Sequence, residues 1–168
     1  MEKEKIVGIV FIAFLAILLL INQNPFGSKE DKFQKSLART RDLAYIKMIE
    51  DVSNNIESHT KNIANAKDGQ DAELYGRVLK EEMQKQMQEQ INNSQYQISP
   101  ELKPLEIKFK KYLEDYYNVG KLVEIGVKNN DSNSIKDALS YAKDGYSTME
   151  DMSKFVEDYM KKNNIQKR

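Results

Sequence analysis

The chain of 168 residues contains no cysteine, only one histidine and only three prolines. Without cysteine it cannot form disulfide bonds, thiolate nucleophiles, iron–sulfur clusters or covalent haem attachments. The redox compartment stays open, because a domain without disulfides folds on either side of a membrane. The part of the chain after residue 28 is long enough to form a core without such cross-links.

An excess of charge of either sign is also missing. The 26 basic side chains are balanced by 26 acidic ones, so the formal net charge is zero. A protein that binds nucleic acid usually carries a basic excess, because its affinity depends on neutralising phosphates. We therefore expect no nucleic-acid partner.

The motifs of catalysis are missing as well. No paired nucleophile and base, no phosphate-binding loop and no glycine-rich turn after a strand can be found, and no segment has the pattern of a strand. These absences predict that the protein is not an enzyme. They predict no catalytic, cofactor-binding or metal-binding residues, and no cofactor.

A long apolar run near the start of the chain is the clearest feature that is present. Residues 6–21 are apolar apart from Gly8. As a helix they would rise about 24 Å, less than the roughly 30 Å hydrocarbon core, and local thinning of the bilayer can absorb the difference. Residues 6–22 therefore predict a transmembrane signal-anchor helix after a short flank at 1–5, with the lipid bilayer as its partner.

A cleaved export signal is the alternative interpretation of this run. Signal peptidases require small side chains one and three residues before the cut, and pairs such as Gln23 and Pro25 do not supply them. An uncleaved anchor is therefore favoured. Basic residues on the two sides of the span are nearly balanced, but a short flank before a span usually precedes a translocated domain. We expect a single-pass protein of the cell membrane with most of its chain outside the cytoplasm.

Helix-breaking residues divide the remainder of the chain into four helical segments. After a linker at 23–29, helices are predicted at about 30–66, 71–96, 100–129 and 132–162, and a disordered basic tail at 163–168. The predicted N-terminal caps are Asp71, Ser99 followed by Pro100, and Asp131 or Ser132.

Apolar residues recur at helical spacing along all four segments, most weakly along the second. Short loops between helices of similar length favour antiparallel neighbours. The sequence therefore predicts an all-α fold, in which the transmembrane helix precedes an antiparallel up-down-up-down four-helix bundle over residues 30–162. Long helical hairpins that complete a coiled-coil dimer are the alternative. The predicted core of the third segment is Leu102, Leu105, Phe109, Tyr112, Tyr116, Val119, Val123 and Gly126.

His59 lies on the apolar stripe of the first helix and is the strongest candidate for a ligand. A metal site in a helical bundle needs several converging histidines and carboxylates, and no second histidine exists. Haem held by His59 with Met149 or Met152 is the remaining possibility. A hydrogen-bonded or partly exposed histidine is the preferred interpretation.

Tyr112 and Tyr116, with Tyr117 beside them, either fill the core or line an apolar ligand cavity with polar tips. The small residues of the third and fourth helices pose the same alternative, since they permit either close packing of the helices or a cavity between them. We favour a filled core in both cases. The small residues are Gly120, Gly126, Ala138, Ala142 and Gly145.

Two short motifs carry weaker signals. Asn92 and Asn130 begin N-glycosylation acceptor patterns, which arise readily by chance in a chain rich in Asn and Ser. Residues 161–168 are basic without an acid, and a frayed, solvated terminus is favoured over contact with anionic lipid or a partner.

Together these features predict a membrane-anchored helical bundle that is a non-catalytic interaction or structural component of the cell envelope. Its expected partners are other envelope proteins or further copies of itself. The alternative is an extracytoplasmic ligand-binding module that uses a bundle core lined by tyrosine and methionine.

Overall fold

The structure, a computed structural model, describes residues 29–92 and 97–165. The predicted flank at 1–5, the predicted anchor at 6–22 and the linker up to residue 28 lie outside these described residues. Within the described ranges, no helix is both long and apolar enough to cross a membrane.

Four long helices make up the described chain. They are α1 (Lys29–Ala64), α2 (Gly69–Asn92), α3 (Lys103–Lys128) and α4 (Ser132–Lys162), and a 3₁₀ turn at Pro100–Leu102 precedes α3. No strand occurs in residues 29–92 or 97–165. The predicted all-helical fold is therefore confirmed for these residues, and it is consistent with a helical bundle. The predicted end of the second helix at residue 96 lies outside them.

The helix starts follow from local capping. Asp131 caps α4, because its carboxylate accepts hydrogen bonds from the Asn133 N–H at 3.0 Å and the Ser134 hydroxyl at 2.7 Å. Helix α2 starts two residues before the predicted cap, since Asp68 accepts the N–H of Asp71 at 2.9 Å. The expectation that Asp71 is the cap was therefore wrong.

Contacts between consecutive helices run in opposite chain directions. As residue numbers rise along one helix, those of its partner residues fall along the next, which is the pattern of antiparallel neighbours. The contacts that show this are Met48–Gln90 and His59–Glu82 between α1 and α2, Gly69–Val127 and Lys80–Glu124 between α2 and α3, and Lys108–Asp151 and Gly126–Ile135 between α3 and α4.

The core lies around α3. This helix packs closely against both α2 and α4, whereas α1 approaches it mainly through long side chains, such as Tyr45 edge-on against Phe109 with ring centroids 6.4 Å apart. All eight predicted core positions from Leu102 to Gly126 are buried. Helix α3 is therefore the central element that positions the interior side chains.

Candidate functional site

The tyrosine-rich stretch of α3 lies inside the bundle. The side chain of Tyr112 is 1% exposed and that of Tyr116 is 8% exposed, and their rings meet edge to face with centroids 5.0 Å apart. Tyr117 is partly buried against the edge of the core. The first two phenols therefore face the interior, where a ligand-binding site would require open space beside them.

The space beside Tyr116 is occupied by protein. A Cβ placed on Gly145 would lie 2.6 Å from the Tyr116 ring, so the absence of a side chain at Gly145 accommodates that ring. Gly126 accommodates Ile135 in the same way, at 2.7 Å. The small residues of α3 and α4 therefore serve close packing at these points.

The interior tyrosines have polar neighbours on α1. Tyr112 forms a side-chain hydrogen bond with Ser53, although burial outweighs this bond and raises the pKa of the phenol. Burial, followed by the nearby charges of Asp115 and Glu57, raises the pKa of Tyr116 to about 12. Both phenols stay protonated at neutral pH, so they act as neutral hydrogen-bonding groups and not as general bases.

His59 is paired with a carboxylate. Its Nε2 contacts Glu82 Oε2 across the α1–α2 interface, and both side chains are mostly buried, at 20% and 25% exposure. Met149 and Met152, the other proposed haem ligands, lie on α4, where Met152 is buried in the core. Among residues 29–92 and 97–165, no group of three or more His, Cys, Asp or Glu is arranged to hold a metal ion.

A buried carboxylate that the sequence analysis missed joins three parts of the fold. Asp42 is 2% exposed and accepts hydrogen bonds from the Ser99 N–H at 2.8 Å and the Tyr159 hydroxyl at 2.7 Å. It thus links α1 to the segment before the 3₁₀ turn and to the end of α4. A signal was present in the sequence, because Asp42 precedes the core positions Tyr45, Ile46 and Ile49 at helical spacing.

An open cleft of about 580 Å³ lies between the start of α2 and the end of α3. Its carboxylates include Asp68, which already caps α2. Small-molecule sites are typically enclosed and largely apolar, and this cleft is neither. The lining residues are Asp68, Gly69, Gln70, Glu73, Val127, Lys128 and Asn130.

Some large apolar side chains are exposed on the described surface. Leu139 and Tyr146 lie two turns apart on α4 and are 67% and 48% exposed, and Ile107 on α3 is 69% exposed. Single exposed apolar residues are common on soluble domains. The pair on α4 is nevertheless a candidate contact surface for another protein.

The weaker sequence motifs lie at helix ends. Asn130 is exposed in the turn before α4, with a positive φ of 51°, and Asn92 is the last residue of α2. After α4, the Ile165 N–H bonds the Met160 carbonyl at 2.9 Å, and Ile165 packs against the core. Residues 163–165 therefore close the end of α4, and residues 166–168 of the predicted tail lie outside the described chain.

Comparison with known proteins assigns no family to the chain. No family model matches the chain, and no curated protein and no solved structure matches it.

Proposed function

We propose that this chain is a single-pass membrane protein in which residues 6–22 anchor an antiparallel up-down-up-down four-helix bundle at 30–162. The bundle acts outside the cytoplasm, without catalysis, as an interaction or structural component of the cell envelope. Its partners are other envelope proteins or further copies of the chain.

The observation that carries this proposal is the packing of the bundle interior. The groups best suited to bind a ligand, Tyr112 and Tyr116, contact each other, and Gly145 leaves room for the Tyr116 ring instead of a ligand. The described residues therefore favour a rigid helical body over a binding cavity. The apolar run at 6–21 supports the anchor, and the exposed Leu139 and Tyr146 support a role in protein contacts.

Membrane fractionation of the tagged full-length chain tests the anchor. We expect the protein to stay with the membranes through alkaline washing and to keep its N-terminus, as determined by intact mass. Release into the soluble fraction of a product that lacks its first two dozen or so residues would overturn this part of the proposal.

Crosslinking in cells, followed by identification of the captured proteins, tests the interaction role. Leu139→Ser and Tyr146→Ser should reduce capture of a specific envelope partner, or of a second copy, relative to the natural chain. Thermal denaturation with metabolites, lipids and haem tests the alternative. A shift of several degrees with one compound would favour a ligand-binding module, because a ligand stabilises the state that it binds.

A further inference from the structure

We propose that one end of the bundle binds the anionic headgroups of the membrane that holds the chain, an inference that rests on the anchor proposed above. This end is called the basal surface, and it is the end from which the chain continues toward residue 28. Among the described residues, its exposed charged side chains are Lys35, Arg39, Arg41, Glu101, Lys103, Asp158, Lys161 and Lys162.

Three contacts bring distant parts of the chain together at the basal surface. The Arg39 guanidinium donates to the backbone carbonyl of Asn163, which joins the start of α1 to the end of α4. Arg41 Nη1 donates to Gln97 Oε1 at 3.1 Å.

The third contact at the basal surface is an ion pair. Lys162 Nζ lies 3.2 Å from Glu101 Oε1, so the end of α4 also meets the 3₁₀ turn. The basic side chains of α1 and α4 therefore lie on one surface, although the two groups are at least 120 residues apart in the sequence.

The charges on this surface are of one predominant sign. In the described part of the chain, six exposed basic side chains share this surface with two exposed acidic ones, Asp158 and Glu101, of which Glu101 pairs with Lys162. Arg39 and Arg41 donate to neutral oxygen atoms, so neither guanidinium is bonded to a carboxylate in these contacts. A cluster of this kind is attracted to anionic lipid, with each basic residue near the surface adding to the attraction.

The opposite end of the bundle differs in charge. When every charged side chain is counted, buried ones included, this end carries three basic and four acidic groups over residues 65–73 and 127–136, whereas the basal surface carries six basic and four acidic groups over residues 35–42, 97–103 and 157–165. The net charge of these described residues is therefore positive at the basal surface and negative at the opposite end. The basic residues at this other end are Lys67, Lys128 and Lys136, and the acidic ones are Asp68, Asp71, Glu73 and Asp131.

The short connection to the anchor favours lipid over other anionic partners. Only residues 23–28 separate the proposed span from α1, and six residues reach at most about 20 Å. The ten residues of α1 before Arg39 add a helical rise of about 15 Å, so the bundle must tilt for its basal surface to meet the headgroups. A surface tethered so near a bilayer experiences a high effective concentration of lipid headgroups, and their attraction acts within about 8 Å at physiological salt.

The test uses the full chain in nanodiscs of phosphatidylcholine, with or without phosphatidylglycerol. Because the chain has no cysteine, Gln97→Cys and Asn133→Cys each provide one site for a fluorophore, at the basal surface and at the opposite end. A headgroup-attached quencher reports proximity to lipid. We expect quenching at residue 97 to rise by about twofold or more with phosphatidylglycerol and to fall again at high salt, with no change at residue 133.

Charge reversal supplies the matched comparison. Lys161→Glu with Lys162→Glu should abolish the increase caused by phosphatidylglycerol, whereas Lys128→Glu with Lys136→Glu, also two exposed reversals, should leave it intact. Circular dichroism establishes that each variant is folded. Equal effects of the two double variants would overturn the proposal, because they would indicate a general charge effect.

The remaining outcomes separate the two proposals. If quenching at residue 97 does not respond to phosphatidylglycerol, the proposed lipid binding of the basal surface is wrong, but the anchor can still be right. The same holds if the basal surface binds a soluble polyanion and shows no response to lipid. A chain that fails to enter neutral nanodiscs would overturn the anchor, and with it the inference that depends on it.

Discussion

The hydroxyl of Tyr159 donates a hydrogen bond of 2.7 Å to Oδ2 of Asp42, 117 residues earlier in the chain. Oδ1 of the same carboxylate accepts the backbone N–H of Ser99 at 2.8 Å. A buried carboxylate is costly unless it is well hydrogen-bonded, and these two bonds come from two other elements of the fold. Asp42 therefore ties α1 to the rest of the bundle at the end where the chain leads toward the proposed anchor.

The variant Asp42→Ala should lower the free energy of unfolding by about 2–4 kcal/mol. It removes two hydrogen bonds to a charged acceptor and leaves the Tyr159 hydroxyl and the Ser99 N–H buried without that partner. Urea unfolding of the detergent-solubilised chain, followed by far-ultraviolet circular dichroism, measures the change. Tyr159→Phe should cost less, and the double variant should cost less than the sum of the two single variants, because the residues share one bond.

An exposed aspartate of the same helix provides the control. Asp51 forms an ion pair with Lys47, at 2.9 Å on the surface of α1. Asp51→Ala should change the free energy of unfolding by no more than about 0.5 kcal/mol. If Asp42→Ala and Asp51→Ala lowered the free energy of unfolding equally, the buried hydrogen bonds of Asp42 would not stabilise the packing of α1.

The closest approach of α2 and α3 depends on Gly120. A Cβ at this position would lie 2.6 Å from both the Gly76 carbonyl oxygen and the Lys80 nitrogen, which are backbone atoms that cannot rotate away. Gly120→Ala should therefore destabilise the chain by about 1–3 kcal/mol, although alanine is the better helix former by about 1 kcal/mol. Thermal and urea unfolding measure the loss.

Substitution of two other glycines by alanine provides a comparison for the cost at Gly120. Gly145→Ala would contact the side chain of Tyr116, which can shift, so its cost should be smaller than that of Gly120→Ala. Gly69→Ala would lie 3.3 Å from a methyl group of Val127 at the start of α2, and it should be near neutral. A Gly120→Ala variant as stable as Gly69→Ala would contradict the close approach of the two backbones.

The sequence was sufficient to predict the four helices, because their core patterns and breakers are local. All eight predicted core positions from Leu102 to Gly126 are buried, and Asp131 caps α4 as expected. The cap of α2 was misassigned because Asp68 and Asp71 both suit that role, and the choice depends on where the preceding chain turns.

The interior contacts could not be predicted in the same way. Asp42 was overlooked because an acidic residue normally indicates an exposed position, and the two donors that permit its burial lie 57 and 117 residues away. The fit of the Tyr116 ring to Gly145 and the clustering of Arg39 with the end of α4 likewise require the packed helices. The sequence pattern identifies the helices, but it does not give the distances between them.

The contact between His59 and Glu82 predicts a structural role for the histidine. His59→Ala should lower the free energy of unfolding by about 1 kcal/mol, since it removes one partly buried pair between α1 and α2. A double-mutant cycle with Glu82→Ala should show coupling of about 0.5–1 kcal/mol. The metal content of the purified chain, measured by mass spectrometry, should be the same with and without the histidine. A bound metal or haem that disappears in His59→Ala would instead identify a ligand.

The buried tyrosines predict a loss of stability at alkaline pH. The free phenol has a pKa near 10, and in the folded chain that of Tyr116 is raised to about 12, chiefly by burial. Between these values the unfolded chain binds fewer protons than the folded chain, so the stabilisation is complete below pH 10 and is lost as the pH rises toward 12. Burial also raises the pKa values of Tyr45, Tyr112 and Tyr159, which adds to the loss.

Urea unfolding at pH 7 and pH 11 measures this loss, and tyrosinate absorbance reports how many phenols have ionised. Tyr116→Phe should reduce the loss by on the order of 1 kcal/mol, because one proton is no longer released on unfolding. Val119→Ala, a core change that removes no titratable group, should lower stability equally at both pH values. If Tyr116→Phe and the natural chain lost the same stability between the two pH values, the Tyr116 phenol would not be protected by burial in the folded bundle.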